Sequence, residues 1–148
     1  MEKAIYQTQF NSCLACVLAM IVGETEQYVI NWFKNQNPPF NDEDAMIFLA
    51  HHGIFFALSG KFNGEKNFYP DTTIKIHFEL EGRCAYIVVE SKTSKTGYHA
   101  IFWNGSKVLD PQRLNDKRRL EDYKIHYIYP LQVTEERAKF FELIKNSH

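Results

Sequence analysis

Cys13 opens an apolar run, Leu14-Ala15-Cys16-Val17-Leu18-Ala19-Met20-Ile21, directly behind the polar stretch Gln7-Thr8-Gln9-Phe10-Asn11-Ser12. Leu14, Val17, Leu18 and Ile21 recur at helical spacing, so the run predicts a buried helix. Asn11 or Ser12 as its N-cap puts Cys13 in the first turn. The amides and positive dipole end of a helix start favour an anion, which lowers the pKa of a thiol placed there. A thiolate is the nucleophilic form of cysteine, and acyl chemistry then asks for a base and an oxyanion donor. Gln7 carries a side-chain amide suited to the donor role; Gln9, with its shorter reach to Cys13, is the competing choice. His99, at the head of Tyr98-His99-Ala100-Ile101-Phe102-Trp103, suits the base. Asp110, in Val108-Leu109-Asp110-Pro111, returns beside the start of the His99 strand if the chain folds back at Asn104-Gly105-Ser106. An aspartate there would hold the imidazole tautomer and stabilise the imidazolium.

Positioning these groups falls to a first third that reads as helical and a remainder that reads as sheet. Helices are expected over 14–22, stopped near Gly23; over 26–35, burying Val29, Ile30 and Phe33; and from an Asn41 or Asp42 cap through His51, closed by Gly53. Residues 54–58 read as a short strand and 60–70 as a turn-rich loop. Residues 72–80 alternate roughly at period two, with a helical turn over 74–80 as the other reading. The β-branched and aromatic run 83–90 reads as a central strand. Residues 98–103 and 107–109 flank the Asn-Gly turn, and 125–133 is a last strand in which Pro130 suggests an edge or a bend. A capped helix is expected over 135–145. Helices first and an antiparallel sheet afterwards make an α+β domain.

With 148 residues, 45% hydrophobic and 24% charged, the chain has the size and composition of one globular domain, 1–148, rather than a disordered segment. A net charge of −1 excludes the global signature of a nucleic-acid binder, so neither nucleic acid nor membrane is expected as a partner. No apolar run approaches the roughly 20 residues that span a bilayer, and the N-terminus lacks a signal-peptide layout. Three cysteines, an odd and low count, argue against a disulfide scaffold and fit a reducing, cytoplasmic setting.

The segment resembles the papain-like cysteine peptidases, especially the bacteriocin-leader-processing (double-glycine) peptidase group and its stand-alone relatives. That group has a glutamine, five residues, a catalytic cysteine and then an apolar helix, as in Gln7, Cys13 and Leu18-Ala19-Met20-Ile21. Its histidine opens a strand, as in Tyr98-His99-Ala100-Ile101, and its aspartate sits in an Asp-Pro after a short hairpin, as in Asp110-Pro111. Glu81-Gly82-Arg83 followed by Cys84 to Val89 is similar to its strand behind a glycine turn. The likeness runs from about residue 7 to 133. It implies a papain-like fold, N-terminal helices on an antiparallel sheet with a C-terminal helix, and a peptidase or isopeptidase acting on a protein or peptide. In it Cys13 attacks a carbonyl, His99 shuttles the proton, Asp110 orients His99, and Gln7 with the Cys13 backbone amide holds the oxyanion. No cofactor or metal is called for. The group commonly has Asp-Cys-Gly where this chain has Ser12-Cys13-Leu14; a leucine there narrows the cleft, so the leader-peptide substrate does not transfer. The transporter portions found with many relatives are absent, which implies a stand-alone role.

Other readings accompany each residue. Cys13 could be an inert buried thiol, and Cys13-Leu14-Ala15-Cys16 a redox pair or zinc half-site. The redox reading wants a core strand before the cysteine in a βαβ setting, which 7–12 is too polar to be; a zinc site wants a second ligand pair, and Cys84 stands alone. Cys16 reads as packing, Cys84 as core, and His51-His52 as a pair favoured by a helix C-terminus. His77, His126 and His148 have no partner in the sequence pattern. Lys117-Arg118-Arg119, flanked by Asp116, Glu121 and Asp122, reads as solvated surface. The order Cys, His, Asp also serves transglutaminases, arylamine acyltransferases and deamidases, and a catalytically silent papain-like module would bind a protein partner instead. A reactive Cys13 with turnover separates the enzymes from the module.

Overall fold

The apolar run behind Cys13 forms helix α1, Cys13–Val22, and every residue of it after Cys13 is buried. A helix apolar on all sides belongs inside a core, and α1 is the centre of this one. The computed structural model describes residues 4–8, 11–34, 40–56, 60–61, 80, 82–91, 97–112 and 118–133. Gly23 ends α1 in the left-handed region at φ 77°, with its N–H on the Ala19 carbonyl at 2.9 Å, a geometry that glycine adopts without steric cost. Helix α2, Glu26–Trp32, starts where the Thr25 hydroxyl accepts the Tyr28 N–H at 3.1 Å, and it is shorter than the expected 26–35. Helix α3, Asp42–His51, starts in a capping box. Asn41 Oδ1 accepts from the Asp44 N–H at 2.8 Å, and Asp44 Oδ2 accepts from the Asn41 N–H at 3.0 Å.

The sheet comprises β1 (Ile54–Phe56), β2 (Gly60–Lys61), β3 (Cys84–Glu90), β4 (Tyr98–Asn104), β5 (Val108–Leu109) and β6 (Ile125–Val133). Its order is β1-β6-β3-β4-β5, β2 also lies on β6, and every pairing among the described residues is antiparallel. Helices on an antiparallel sheet make the chain α+β, as the sequence leads one to expect. Alternation along β3 divides the core. Tyr86 and Val88 pack with the helices, while Ala85, Ile87 and Val89 join Leu80, Ile101, Trp103, Leu120, Tyr123 and Ile125 on the other face. Between Val88 and Val89 the register slips so that β6 spends an extra residue, His126. That bulge lets Ile125 face one core and Tyr127 the other, two residues apart, which regular pleating forbids.

Several expectations need correcting. Pro130 is not on an edge: it pairs with Ala85 of β3 inside the sheet. On the opposite side of β6, β2 pairs with 127–128 and β1 with 131–133. Gly60 and Lys61, expected in a loop, pair with Ile128 and Tyr127. Cys84, expected in the core, is exposed at the first position of β3. Of the segment 72–80 only Leu80 is described; it is buried, and its carbonyl accepts the Trp103 indole N–H at 2.7 Å. The helix expected over 135–145 lies outside the described residues. Among the described residues no single helix is long and apolar enough to cross a membrane.

Candidate active site

Cys13 is the first residue of α1, and the helix start is arranged for an anion. Ser12 occupies the N-cap position, but its hydroxyl makes no cap bond and donates instead to Glu26 Oε2 at 3.1 Å. The Leu14 N–H therefore reaches the Cys13 sulfur, as does the Ala100 N–H of β4. β4 packs directly against α1, which brings its second residue, His99, to the sulfur. The tight turn then returns the chain. Asn104 Oδ1 accepts the backbone N–H groups of Ser106 and Lys107, each at 3.0 Å, and Gly105 sits at φ 100°, where a side chain would be strained and a Cβ would crowd the Gly82 backbone at 3.3 Å. β5 pairs Val108 with Trp103 and Leu109 with Phe102, and Asp110 follows beside the root of β4.

His99 Nε2–H donates to Asp110 Oδ1 at 2.7 Å, leaving Nδ1 as the ring nitrogen for Cys13. Both residues are buried, His99 at 4% exposure and Asp110 at 3%, so little water competes for the contact. Asp110 is itself fixed twice. Its Oδ1 accepts the Gln112 N–H at 2.8 Å in an Asx turn, and its Oδ2 accepts the Tyr123 hydroxyl at 2.5 Å. Tyr123 is a residue of the candidate site that the sequence reading missed; burial and the facing carboxylate keep its phenol protonated. Arg118 lies over its ring at 4.6 Å.

Burial alone would push the Cys13 thiol up, but the His99 ring and the Ala100 and Leu14 amides outweigh it and hold the thiol below its ordinary value. Burial likewise opposes the His99 imidazolium, yet Asp110 and Cys13 raise it to about 9. Both shifts favour the thiolate–imidazolium pair over the neutral thiol and imidazole. Iodoacetamide near pH 6 should therefore alkylate Cys13 well ahead of Cys16 and the exposed Cys84, and peptide mapping reads this directly. Equal labelling of the three, or Cys84 first, would remove Cys13 as the activated thiol.

Gln7 is tied to the same corner at backbone level: its N–H donates to the Pro111 carbonyl at 3.0 Å, one residue past Asp110. Its side-chain Oε1 is buried. Gln9 lies outside the described residues. Glu26 is the second residue missed. Buried at the start of α2, it accepts the Thr8 N–H at 3.0 Å, the Thr8 hydroxyl at 2.5 Å, the Ser12 hydroxyl at 3.1 Å and the Cys16 thiol at 2.9 Å. Burial works against its charge, but these bonds prevail and hold the carboxyl below its ordinary range. Cys16, buried and facing that charge, is driven the other way, so its thiol stays protonated. The only sequence hint was a glutamate opening an amphipathic helix, where acidic residues are ordinarily dipole partners on the surface.

Among the described residues, the other histidines do not enter the site. His52 hydrogen-bonds the Phe48 carbonyl at 2.7 Å and the Tyr28 hydroxyl at 2.9 Å, and His126 packs edge-on against Tyr98. His77 and His148 lie outside the described residues. Among the described residues, no group of three or more His, Cys, Asp and Glu side chains could hold a metal ion. No family model matches the chain, and neither a curated protein nor a solved structure matches it.

Proposed function

We propose that the chain is a papain-like cysteine hydrolase, a peptidase or isopeptidase that acts on a protein or peptide without metal or cofactor, in the reducing cytoplasm. One observation carries the reading: a single buried imidazole hydrogen-bonded on one side to a helix-start cysteine and on the other to a fixed carboxylate. The three free cysteines agree with the setting.

In this reading the Cys13 thiolate attacks the scissile carbonyl, and the developing oxyanion is received by the Cys13 backbone N–H and the Gln7 side-chain amide. The His99 imidazolium gives its Nδ1 proton to the leaving amine, which frees the amine and leaves a thioester on Cys13. The neutral imidazole then takes a proton from water, whose oxygen attacks the thioester, and His99 returns that proton to the departing sulfur. Asp110 keeps Nε2 protonated throughout and stabilises the imidazolium in both half-reactions.

Incubation with a cysteine-directed activity probe, then turnover on peptide and isopeptide substrates, tests the assignment. Labelling confined to Cys13 and turnover abolished by Cys13→Ala are the expected results; an inert Cys13 overturns it. The donor is tested separately. Loss of one oxyanion donor typically costs ~3 kcal/mol in the transition state, so Gln7→Ala should lower kcat on the order of 10²-fold with little change in KM or in the Cys13 labelling rate. A variant that melts much lower at unchanged specific activity makes Gln7 a packing residue. Gln9→Ala, assayed in parallel, decides between the two glutamines.

A further inference from the structure

Cys16 has no part in hydrolysis, yet it is not mere packing: a buried thiol aimed at a buried carboxylate is an arrangement that apolar packing has no need of. It stands one helical turn from Cys13, and its N–H closes that turn on the Ser12 carbonyl at 3.1 Å. One turn brings two Cα atoms within the roughly 4.4–6.8 Å that a disulfide spans. The Cβ atoms, about 5–6 Å apart on a regular helix, must draw closer; the Ser12 hydroxyl, bonded to Glu26, makes no cap bond to the first turn of α1. Glu26 Oε2 already contacts the thiol hydrogen, so the proton has an acceptor in place.

We infer that Cys13 and Cys16 form a reversible oxidation site, in which a peroxide oxidises Cys13 and Cys16 then closes a disulfide onto it with Glu26 as proton acceptor. In the first step the Cys13 sulfur attacks one peroxide oxygen and the O–O bond breaks. Sulfenic acid forms on Cys13, and the departing hydroxide takes the His99 proton and leaves as water. In the second step the Cys16 sulfur attacks the Cys13 sulfur while its proton shifts to Glu26 as the S–S bond forms, so no free Cys16 thiolate has to accumulate. The S–O bond breaks, and hydroxide leaves as water with that proton. Two sulfurs lose two electrons in all, and one peroxide becomes two waters. This differs from a thioredoxin-type oxidoreductase, since the described lead-in 4–8 forms no strand and every described strand pairing is antiparallel. The bridge blocks the nucleophile while sparing it further oxidation, and thiols restore it.

The inference needs a nucleophilic Cys13 but no hydrolysis, so its test reads mass and labelling rather than turnover. The full chain carrying Cys84→Ser is treated with hydrogen peroxide and mapped before and after dithiothreitol. The expected result is a loss of about 2 Da located to the Cys13–Cys16 peptide, with Cys13 labelling restored to about nine-tenths by dithiothreitol. Adding Cys16→Ser should leave a sulfenic acid that dimedone traps, and prolonged treatment should then cut recovery to about one-tenth or less. Glu26→Gln should slow bridge closure by ~10-fold or more while leaving peroxide attack on Cys13 unchanged, a split that loss of packing would not produce. Should that variant fail to fold, Cys16→Ser decides alone. Cys13 driven to sulfinic acid beside a still-reduced Cys16, or full recovery in Cys16→Ser, overturns the inference.

Discussion

His99→Ala should reduce turnover by on the order of 10⁴ to 10⁶-fold, because nucleophile activation and leaving-group protonation are lost together. The same change removes the largest opponents of the burial that pushes the Cys13 thiol up, so alkylation at pH 6 should collapse as well. Asp110→Asn is the milder companion. An asparagine can keep its oxygen toward the His99 Nε2–H and the Gln112 N–H, and turn its amide toward Tyr123, whose hydroxyl then accepts. Geometry survives, but the charge that helps raise His99 to about 9 does not. Loss of the imidazolium with rising pH should then begin well below that value, and turnover should fall less than in His99→Ala. Stopped-flow alkylation across pH together with peptide turnover measures both effects. A His99→Ala variant that keeps more than about a tenth of wild-type turnover removes His99 from the chemistry.

Glu26→Ala should cost about 4 kcal/mol of folding stability, a large share of the roughly 5–15 kcal/mol that holds an ordinary domain. The substitution leaves four donor groups, the Thr8 N–H and hydroxyl, the Ser12 hydroxyl and the Cys16 thiol, without the acceptor they share. In thermal unfolding this corresponds to a fall on the order of 10 °C. The pH dependence has a definite sign. The carboxyl is held below its ordinary value in the folded chain, so its stabilisation is present above the unfolded value near ~4.3 and is lost as pH falls through the folded one. Glu26→Gln should flatten that acid limb. A melting temperature within a degree or so of wild type would mean that water replaces the lost acceptor.

Local pattern made the first part of this structure legible. The 3.6-residue spacing of Leu14, Val17, Leu18 and Ile21 marks α1, the Asn-Gly turn marks the β4–β5 hairpin, and together they put Cys13, His99 and Asp110 on elements able to meet. What stayed hidden depends on partners distant in sequence. Tyr123 and Glu26 become significant only when the fold delivers Asp110 to one and Thr8, Ser12 and Cys16 to the other. Pro130 pointed toward an edge because a proline in a central strand sacrifices a ladder bond, yet it pairs with Ala85 inside the sheet, a placement with no local mark in the sequence. Cys84 misled for a simpler reason: strand apolarity says nothing about where the strand emerges from the core.

The Gln7 N–H to Pro111 carbonyl bond joins the two extremes of the site, and between them lies most of the chain. During synthesis, at about 5–20 residues per second, the thiol of Cys13 emerges seconds before His99, Asp110 and Pro111 exist. Through that interval Cys13 has no imidazole to ionise it and behaves as an ordinary, sluggish cysteine. On the proposed function the nucleophile is therefore armed last, once His99 reaches the start of α1, and an unfinished chain carries no activated thiolate with which to attack its neighbours.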